Sequence, residues 1–593
     1  MEYKSRNDVP EKYKWDLTDL FKDEKEFIKK YNEAKNQVKD LKKYVGCTKN
    51  ANLLYEYLKN SMNIVALVER LYIYAYLIND IELGISKHLD WKNKTSDLFA
   101  LYSVNTSFFE PELLKLKKQD YEILFKSTPL LDEYRCSLDN IYRNKDHILK
   151  EREENIITEL DNAMNNFSDM SSTMINSEHN YGTAVIDQKE IIISNNNLGK
   201  LLKIEDRSIR KDVRDKFYST LKKYSVSSAQ FLNGFVKGNI ATSKLHNFKD
   251  AWDEKLFSLK LSDKAFNTLI KVTENHVDSL QRYFQIYQKY FGFDKLYPYD
   301  TGLELSKIKK EYSIEKAQEL CLKAIEPLGT DYKNHFKKIF DNHYIDYAQY
   351  PSKYSGAYSF APLDRDSRIL MNYNYDLDSI STVIHESGHN VHDQYVKENN
   401  PLQYRSVPTF ISEVPSLVNE CLLSSFLAIN GNNKGEKIAG IANIIDVFMA
   451  NFFGAVREGK MELDFYNYVN EGNSITQDYM INLDRTSLKK YYGDIIKFDD
   501  WSGLSWIRRS HYYMNYYLFN YAFCIVVASN IALEISNGNE KMLDKYLKFL
   551  KTGSDVDIID AFKIINIDLE DEKIYENAIK YFDEKVNQLE QLL

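Results

Sequence analysis

The sequence predicts a mainly α-helical protein, and three observations carry that expectation. The 593 residues include only 21 glycines and 10 prolines. That is well under half of the roughly 12% usual for the two together, so long elements with few turns are expected. Apolar residues recur at three-to-four spacing along most of the chain. Only two stretches break that spacing, around 181–198 and 350–376.

Taken in order, Leu17–Leu20 leads into Phe27–Tyr31 and Val38–Leu41, and Leu53–Leu58 and Ile64–Leu77 continue the helical pattern. Turns between helices are expected at Glu110–Pro111, near Pro129 and at Asn165–Asn166. Tyr181–Ile186 and Ile191–Ser194, with the polar Asp187–Glu190 between them, predict a hairpin, and Asn195–Asn197 a loop after it. A boundary near 200 divides an N-terminal helical lobe, 1–200, from a second domain, 201–593. Helices resume from Ser208. In the second irregular zone Arg368–Tyr375 predicts a strand, followed by a helix capped by Asp376 or Asp378. From about 408 the chain is again mostly helical. No repeat of 30–50 residues is present, which argues against a solenoid.

The composition narrows the class. A hydrophobic fraction of 44% beside 28% charged residues fits a soluble globular chain. Lys plus Arg number 78 against 87 Asp plus Glu, a net charge of −9, which disfavours nucleic acid as a partner. The 45 tyrosines imply many hydroxyls at surfaces or in a cleft. Cys47, Cys136, Cys321, Cys421 and Cys524 are odd in number and widely spaced, as free thiols of a reducing compartment would be. Met1–Asp16 is charged throughout, without the apolar core of a signal peptide. Ile438–Val456 is the most apolar stretch, but Asn443, Asp446 and Asn451 make it a buried helix rather than a membrane span. A cytoplasmic location, with no membrane partner, is the expectation.

Three of the 11 histidines fall within eight residues, in His385-Glu-Ser-Gly-His-Asn-Val-His392. On a helix His385 and His389 lie one turn apart on one face, where both imidazoles can hold a single metal ion. Glu386 beside them can work on a water as a general base. A third ligand is needed. His392 points the same way but sits about 10 Å further along the axis, at 1.5 Å per residue. Glu413, in Phe410-Ile-Ser-Glu-Val-Pro-Ser416, can approach from the next helix and is favoured. Glu420, seven residues on, is a candidate to orient a ligand histidine. Pro415 implies a helix that begins near Ser412 or kinks there. The run His511–Tyr521 reads as a tyrosine-rich helix whose donors could stabilise an oxyanion.

These segments resemble the thimet-oligopeptidase family of zinc peptidases, and within it the oligoendopeptidase F branch. The resemblance rests on HESGHNVH, on Glu413 in Ser-Glu-Val-Pro-Ser and on the His511 cluster. Weaker supporting segments are Val9–Leu17, Gly356-Ala-Tyr-Ser, Ile369–Asn372 and Tyr546–Gly553. It implies a helical ellipsoid of two lobes around a deep substrate channel, with a small β-sheet beside the zinc helix. Residues 1–200 would cover the channel and 201–593 form the catalytic domain. It further implies one Zn2+ held by His385, His389 and Glu413, with Glu386 as general base; His392 matches a family histidine that some motif descriptions count as a ligand, and is taken here as a neighbour of the ligands or an alternate to them. His511 matches a family histidine near the substrate carbonyl, and Tyr513, Tyr516 and Tyr517 all lie near the spacing of its tyrosine partners. Gly356, Ala357, Tyr358, Met371 and Asn372 would line the substrate groove. The implied activity is cleavage of internal bonds in short unstructured peptides. A related carboxypeptidase or dipeptidyl carboxypeptidase is the alternative, and a peptide-binding protein with a silent metal site a third reading.

Overall fold

The computed structural model describes residues 3–306 and 311–593, and for residues 151, 155, 158, 159, 161–163, 165, 177 and 178 the backbone alone. Helix makes up 71% of the chain and strand 3%, so the class is mainly α, as expected. The chain packs as two compact units that are interleaved along it. One comprises Met1–Asp146, Lys310–Leu423 and Ile531–Asn566, the other His147–Lys309, Ser424–Asn530 and Ile567–Leu593. The expectation from sequence was instead a single boundary near 200.

The first unit opens with three helices, α1 (Glu24–Asp40), α2 (Ala51–Ile81) and α3 (Ser86–Thr106). Asp23 caps α1 by accepting the Glu26 N–H, and Asn50 caps α2 by accepting those of Asn52 and Leu53. Phe27, Ala34, Val38, Val68, Leu71 and Leu98 form their shared core.

In the second unit, α4 (Glu151–Thr173) runs straight through Asn165 and Asn166, where a turn was expected. Two asparagines cost a helix only roughly 0.7 kcal/mol each, and close packing outweighs that. A Cβ on Gly234 would meet the Phe167 ring at 2.6 Å, and one on Gly238 would meet the Met164 Cε at 1.9 Å. The expected hairpin is present as β1 (Thr183–Ile186) paired antiparallel with β2 (Lys189–Ile192). Its turn residues Asp187 and Gln188 both take positive φ, as a two-residue hairpin turn requires. The break near Pro129 is also present. At 110–111 the turn falls slightly earlier, and Pro111 lies in the first turn of a short helix, Phe109–Leu114.

The functional interest lies in the second stretch of the first unit. There β3 (Ile345–Asp346), β4 (Tyr358–Phe360) and β5 (Arg368–Leu370) form a sheet in the order β3-β5-β4. Strand β5 pairs parallel with β3 and antiparallel with β4. Leu370 enters the core of α1–α3, and Tyr358 and Phe360 pack on it. The expected strand at 368–375 thus shrinks to three buried residues with both edges paired. Helix α5 (Leu377–Asn399) follows, its first turn closed by Asp376, which accepts the Ser379 N–H at 2.8 Å. Helix α6 (Thr409–Asn430) begins earlier than Ser412 and includes Pro415.

No disulfide links the five cysteines, and all but Cys136 are buried. Helices Ala51–Ile81, Lys434–Asn470 and Leu518–Ser536 have the length and hydropathy to cross a membrane. Of the third's most apolar window, 78% is buried within the fold.

Candidate active site

Helix α5 carries His385, Glu386 and His389, and the helical repeat sets the two imidazoles side by side with ring centroids 5.1 Å apart. Glu413 reaches them from α6. Its Oε2 lies 3.4 Å from Nε2 of His385 and 3.4 Å from Nε2 of His389. One donor atom from each of the three residues lies within 4.8 Å of the others. Donors bound tetrahedrally at 2.0–2.1 Å from one zinc ion stand roughly 3.3 Å apart, so the two nitrogens, one carboxylate oxygen and their spacing fit zinc.

The approach of α6 has a specific cause. A Cβ on Gly388 would fall 2.7 Å from the Ser416 Cα and 2.9 Å from the Pro415 carbonyl oxygen, so only glycine lets the backbones come this close. Asn419 Nδ2 then donates to the Ile384 carbonyl at 3.1 Å, and Tyr332 donates to Asn419 Oδ1 at 2.9 Å. The Ser416 hydroxyl donates to Glu413 Oε2 at 3.1 Å and fixes its carboxylate.

Glu420 occupies the orienting position foreseen for it. Its Oε1 lies 2.5 Å from His385 Nδ1, and its Oε2 accepts the Ser381 hydroxyl at 3.4 Å. A carboxylate on Nδ1 keeps the proton there and leaves the Nε2 lone pair for a metal. Burial lowers the His385 pKa, but hydrogen bonds to Glu413 and Glu420 outweigh it and the net shift is upward. Glu386 is only 8% exposed. Burial raises its carboxyl pKa, opposed by His385 and His389 and reinforced by Glu413 and Glu420. His392 falls outside the donor group. It is buried, its ring stacks on Phe549, and burial together with His389 pushes its pKa down to about 3. Its Nε2 has no hydrogen-bond partner among the described residues.

The donor group and Glu386 open onto a cleft of about 490 Å³. Ala357, Tyr358 and Ser359 line it, and β4 is an outer strand of its sheet. The Tyr358 hydroxyl is committed to Asp80 at 3.0 Å. Gly356, Met371 and Asn372 line a neighbouring cleft of about 530 Å³, which shares Ala357 with the first. Met371 is 1% exposed, and Asn372 Nδ2 donates to the carbonyls of Tyr354 and Gly356. Both therefore fasten the loop that precedes β4.

His511 belongs to the other unit, and its surroundings differ from the expected helix. Ser510–Tyr513 is a short 3-10 turn, Asn515 and Tyr516 both have positive φ, and α-helix starts only at Leu518. Tyr516 is buried against Trp252 and Tyr466. Tyr513 packs on Phe235, and burial pushes its hydroxyl up to about 12. Of the three candidate tyrosines, Tyr517 is the one beside His511, at 6.0 Å between ring centroids. Tyr521, at 5.8 Å, completes the group. Tyr521 closes the run read from sequence but was not among the three tyrosines singled out by spacing. Sequence reasoning missed Glu69, Asp393 and Arg405, which line the cleft at the donor group; isolated charges of this kind carry no sequence signal.

Residues 200–581 match the model of Peptidase family M3, and residues 112–181 match one described as Oligopeptidase F. Oligopeptidase PepF of Bacillus subtilis is 27% identical over 99% of this chain and 88% of its own length. Oligoendopeptidase F of Lactococcus lactis subsp. cremoris is 26% identical over 100% of this chain and 99% of its own. Among solved structures, oligoendopeptidase-F from Enterococcus faecium shares the fold with a TM-score of 0.73, at 24% identity over 96% of this chain and 99% of that one. The family match spans well over half of the chain, carries the helix with the two histidines and the glutamate that meets them, and makes this protein a metallopeptidase of peptidase family M3, of its oligoendopeptidase F branch.

Proposed function

We propose that this chain is a zinc-dependent endopeptidase that hydrolyses internal bonds of short, unstructured peptides in the cytoplasm. The observation that carries the reading is the His385–His389–Glu413 group, with a spacing that suits zinc and a buried glutamate, Glu386, beside it. Zinc bound there supplies positive charge that polarises the scissile carbonyl and makes water a better acid. Glu386 takes the proton of the attacking water and delivers it to the leaving amine. Its raised pKa suits both halves of that task. Glu420 holds the His385 ring in register. The free edge of β4 can pair with an extended peptide backbone, which would read main chain rather than sequence. That role passes to β4 because β5 has both edges occupied. His511 and Tyr517 are assigned as donors to the carbonyl oxygen on the family resemblance.

The test uses a mixed peptide library, about 5 to 30 residues long, with free or amidated C-termini, and cuts mapped by mass spectrometry. Chelator-sensitive internal cuts, restored by zinc and indifferent to amidation, are expected. Cuts confined to free C-termini would replace this reading with a carboxypeptidase. In the same assay Glu386→Gln should keep one zinc per chain and lose on the order of 10²–10⁴-fold in turnover. Near-normal turnover would remove Glu386 from the mechanism.

A further inference from the structure

The cleft at the metal-ligand group holds two basic side chains, Lys397 and Arg405. They differ in what already neutralises them. Lys397 is bound to the Arg365 carbonyl and ion-paired with Asp366 at 3.2 Å. Among the described residues Arg405 donates only to backbone oxygens. Its Nε donates to the Asn400 carbonyl at 3.0 Å, and its Nη1 to the Leu363 carbonyl at 3.5 Å. Among the described residues, no carboxylate lies within ion-pair distance of it.

The loop that carries Arg405 is firmly built. It follows the end of α5 through Pro401 and a 3-10 turn, Leu402–Tyr404. Asn400 Nδ2 donates to the Lys551 carbonyl at 2.8 Å, and the Ser554 N–H to the Tyr404 carbonyl at 3.0 Å. A Cβ on Gly553 would fall 2.2 Å from the Tyr404 carbonyl oxygen, so the 551–554 segment packs directly against this loop. The guanidinium is thus held by two carbonyls without being neutralised. A guanidinium has five N–H donors in one plane, and at most two are used here. A fixed, uncompensated fork of this kind suits a carboxylate, which it can take with two parallel hydrogen bonds.

We propose that Arg405 is a specificity-determining residue that receives a carboxylate of the bound peptide, either its C-terminal α-carboxylate or an Asp or Glu side chain. The inference rests on the peptidase reading for the identity of the ligand, but its test can be read without hydrolysis. Three peptides of equal length are compared. One is neutral in its side chains with a free C-terminus, one is neutral and amidated, and one is amidated with a single Glu placed toward the C-terminal end. Dissociation constants are measured by fluorescence anisotropy on the zinc-loaded Glu386→Gln protein, and kcat and KM on the zinc-loaded enzyme. The same peptides are then applied to Arg405→Met and Arg405→Lys in both backgrounds, with melting curves to confirm folding.

The expected result is a preference of about tenfold for a carboxylate-bearing peptide over the neutral amide, expressed in Kd and KM rather than in kcat. Arg405→Met should reduce that ratio to about one, and Arg405→Lys should keep part of it. Which of the two acidic peptides shows the preference identifies the carboxylate. A wild-type ratio near one for both acidic peptides would overturn the proposal. So would an Arg405→Met protein that keeps the wild-type ratio, because the side chain would then only brace its loop. An enzyme that cut none of the peptides would overturn the peptidase reading, while the binding ratios would still decide the role of Arg405.

Discussion

A Cβ built on Gly388 meets the Ser416 Cα at 2.7 Å, the Ser416 N at 2.8 Å and the Pro415 oxygen at 2.9 Å. All three atoms are backbone, so relief requires moving α6 rather than turning a side chain. Glu413 stands two residues before Pro415 on that same helix. Gly388→Ala should therefore do two things at once. Overpacking should destabilise the fold by on the order of 2 kcal/mol. Displacement of Glu413 should also weaken zinc binding, by about tenfold or more, since three ligands must meet one ion within a few tenths of an ångström. A melting curve reads the first effect and competition with a calibrated chelator the second. Wild-type zinc affinity in Gly388→Ala would show that Glu413 is placed by something else. At this scale much was legible in the sequence. The side-by-side imidazoles of His385 and His389 follow from the helical repeat, and His392, disfavoured by its rise along the axis, lies outside the donor group. Glu413 and Glu420 were legible as residue types at a reachable distance. That Gly388 is the point of contact between α5 and α6 was legible only as a freedom, because the sequence does not say which backbone fills the space.

Among the elements, the stretch 505–521 was the least legible. Its tyrosines recur densely enough to suggest a helix, yet Asn515 and Tyr516 adopt the left-handed conformation, with φ of 44° and 59°. Non-glycine residues take that conformation only where surrounding contacts hold them. One such contact comes from Glu462 on the helix Ala455–Asn470, whose Oε1 accepts the Tyr516 N–H at 2.7 Å. Side-chain-to-backbone support of this kind leaves no periodic trace. Glu462 is 0% exposed, and its Oε2 has no hydrogen-bond partner among the described residues. Burial pushes its carboxyl up to about 8, against the pull of the Tyr516 N–H and the Lys255 charge. The ordinary carboxyl value is 4.5. Between 4.5 and 8 the folded protein therefore keeps a proton that the unfolded chain has lost. By linkage, stability falls as pH rises through that window. Glu462→Gln retains an acceptor for Tyr516 and carries no titrating group. Its melting temperature should be close to wild type at pH 5 and higher than wild type at pH 8.5, by the equivalent of on the order of 4 kcal/mol. Equal pH dependence in the two proteins would mean that Glu462 is ionised in the fold. The two other departures at this scale have similar causes. The glycines opposite Met164 and Phe167 carry a helix through Asn165–Asn166, and beyond Leu370 the Met371 and Tyr373 N–H groups still donate to the Asp346 and Tyr347 carbonyls while Asn372 fastens the loop before β4.

For the molecule as a whole, the family match begins at residue 200, near the boundary expected from sequence, and suggests a separable catalytic part. The packing of the first unit argues otherwise. The stretch that carries the His385–His389–Glu413 group begins only after residue 310, and the sheet beside it packs on residues from the first hundred. Leu370 is buried in the core of α1–α3. The Arg368 guanidinium is nearly fully buried and is satisfied by the Asp16 carbonyl and by ion pairing with Asp19. Asp346 on β3 is fully buried between Arg6 at 2.7 Å and Lys353 at 2.7 Å. The Tyr354 N–H donates to the Asp80 carbonyl at 2.7 Å, and Tyr358 donates to the Asp80 carboxylate. Cutting at 200 would expose these apolar faces and leave Asp346 and Arg368 each short of a charged partner. Breaking one buried pair by removing a partner costs about 3–5 kcal/mol, and a domain has only about 5–15 kcal/mol in hand. In a chain of residues 200–593 the first unit should therefore lose its cooperative thermal transition, and zinc should bind far below one equivalent. Supplying residues 1–199 as a separate chain during refolding should recover both, because the lost contacts are noncovalent. Circular dichroism melts and metal analysis of the fragment, alone and with its complement, decide the matter. A fragment that melts cooperatively and holds a full equivalent of zinc would show that the N-terminal helices lie outside the folding unit that builds the metal site.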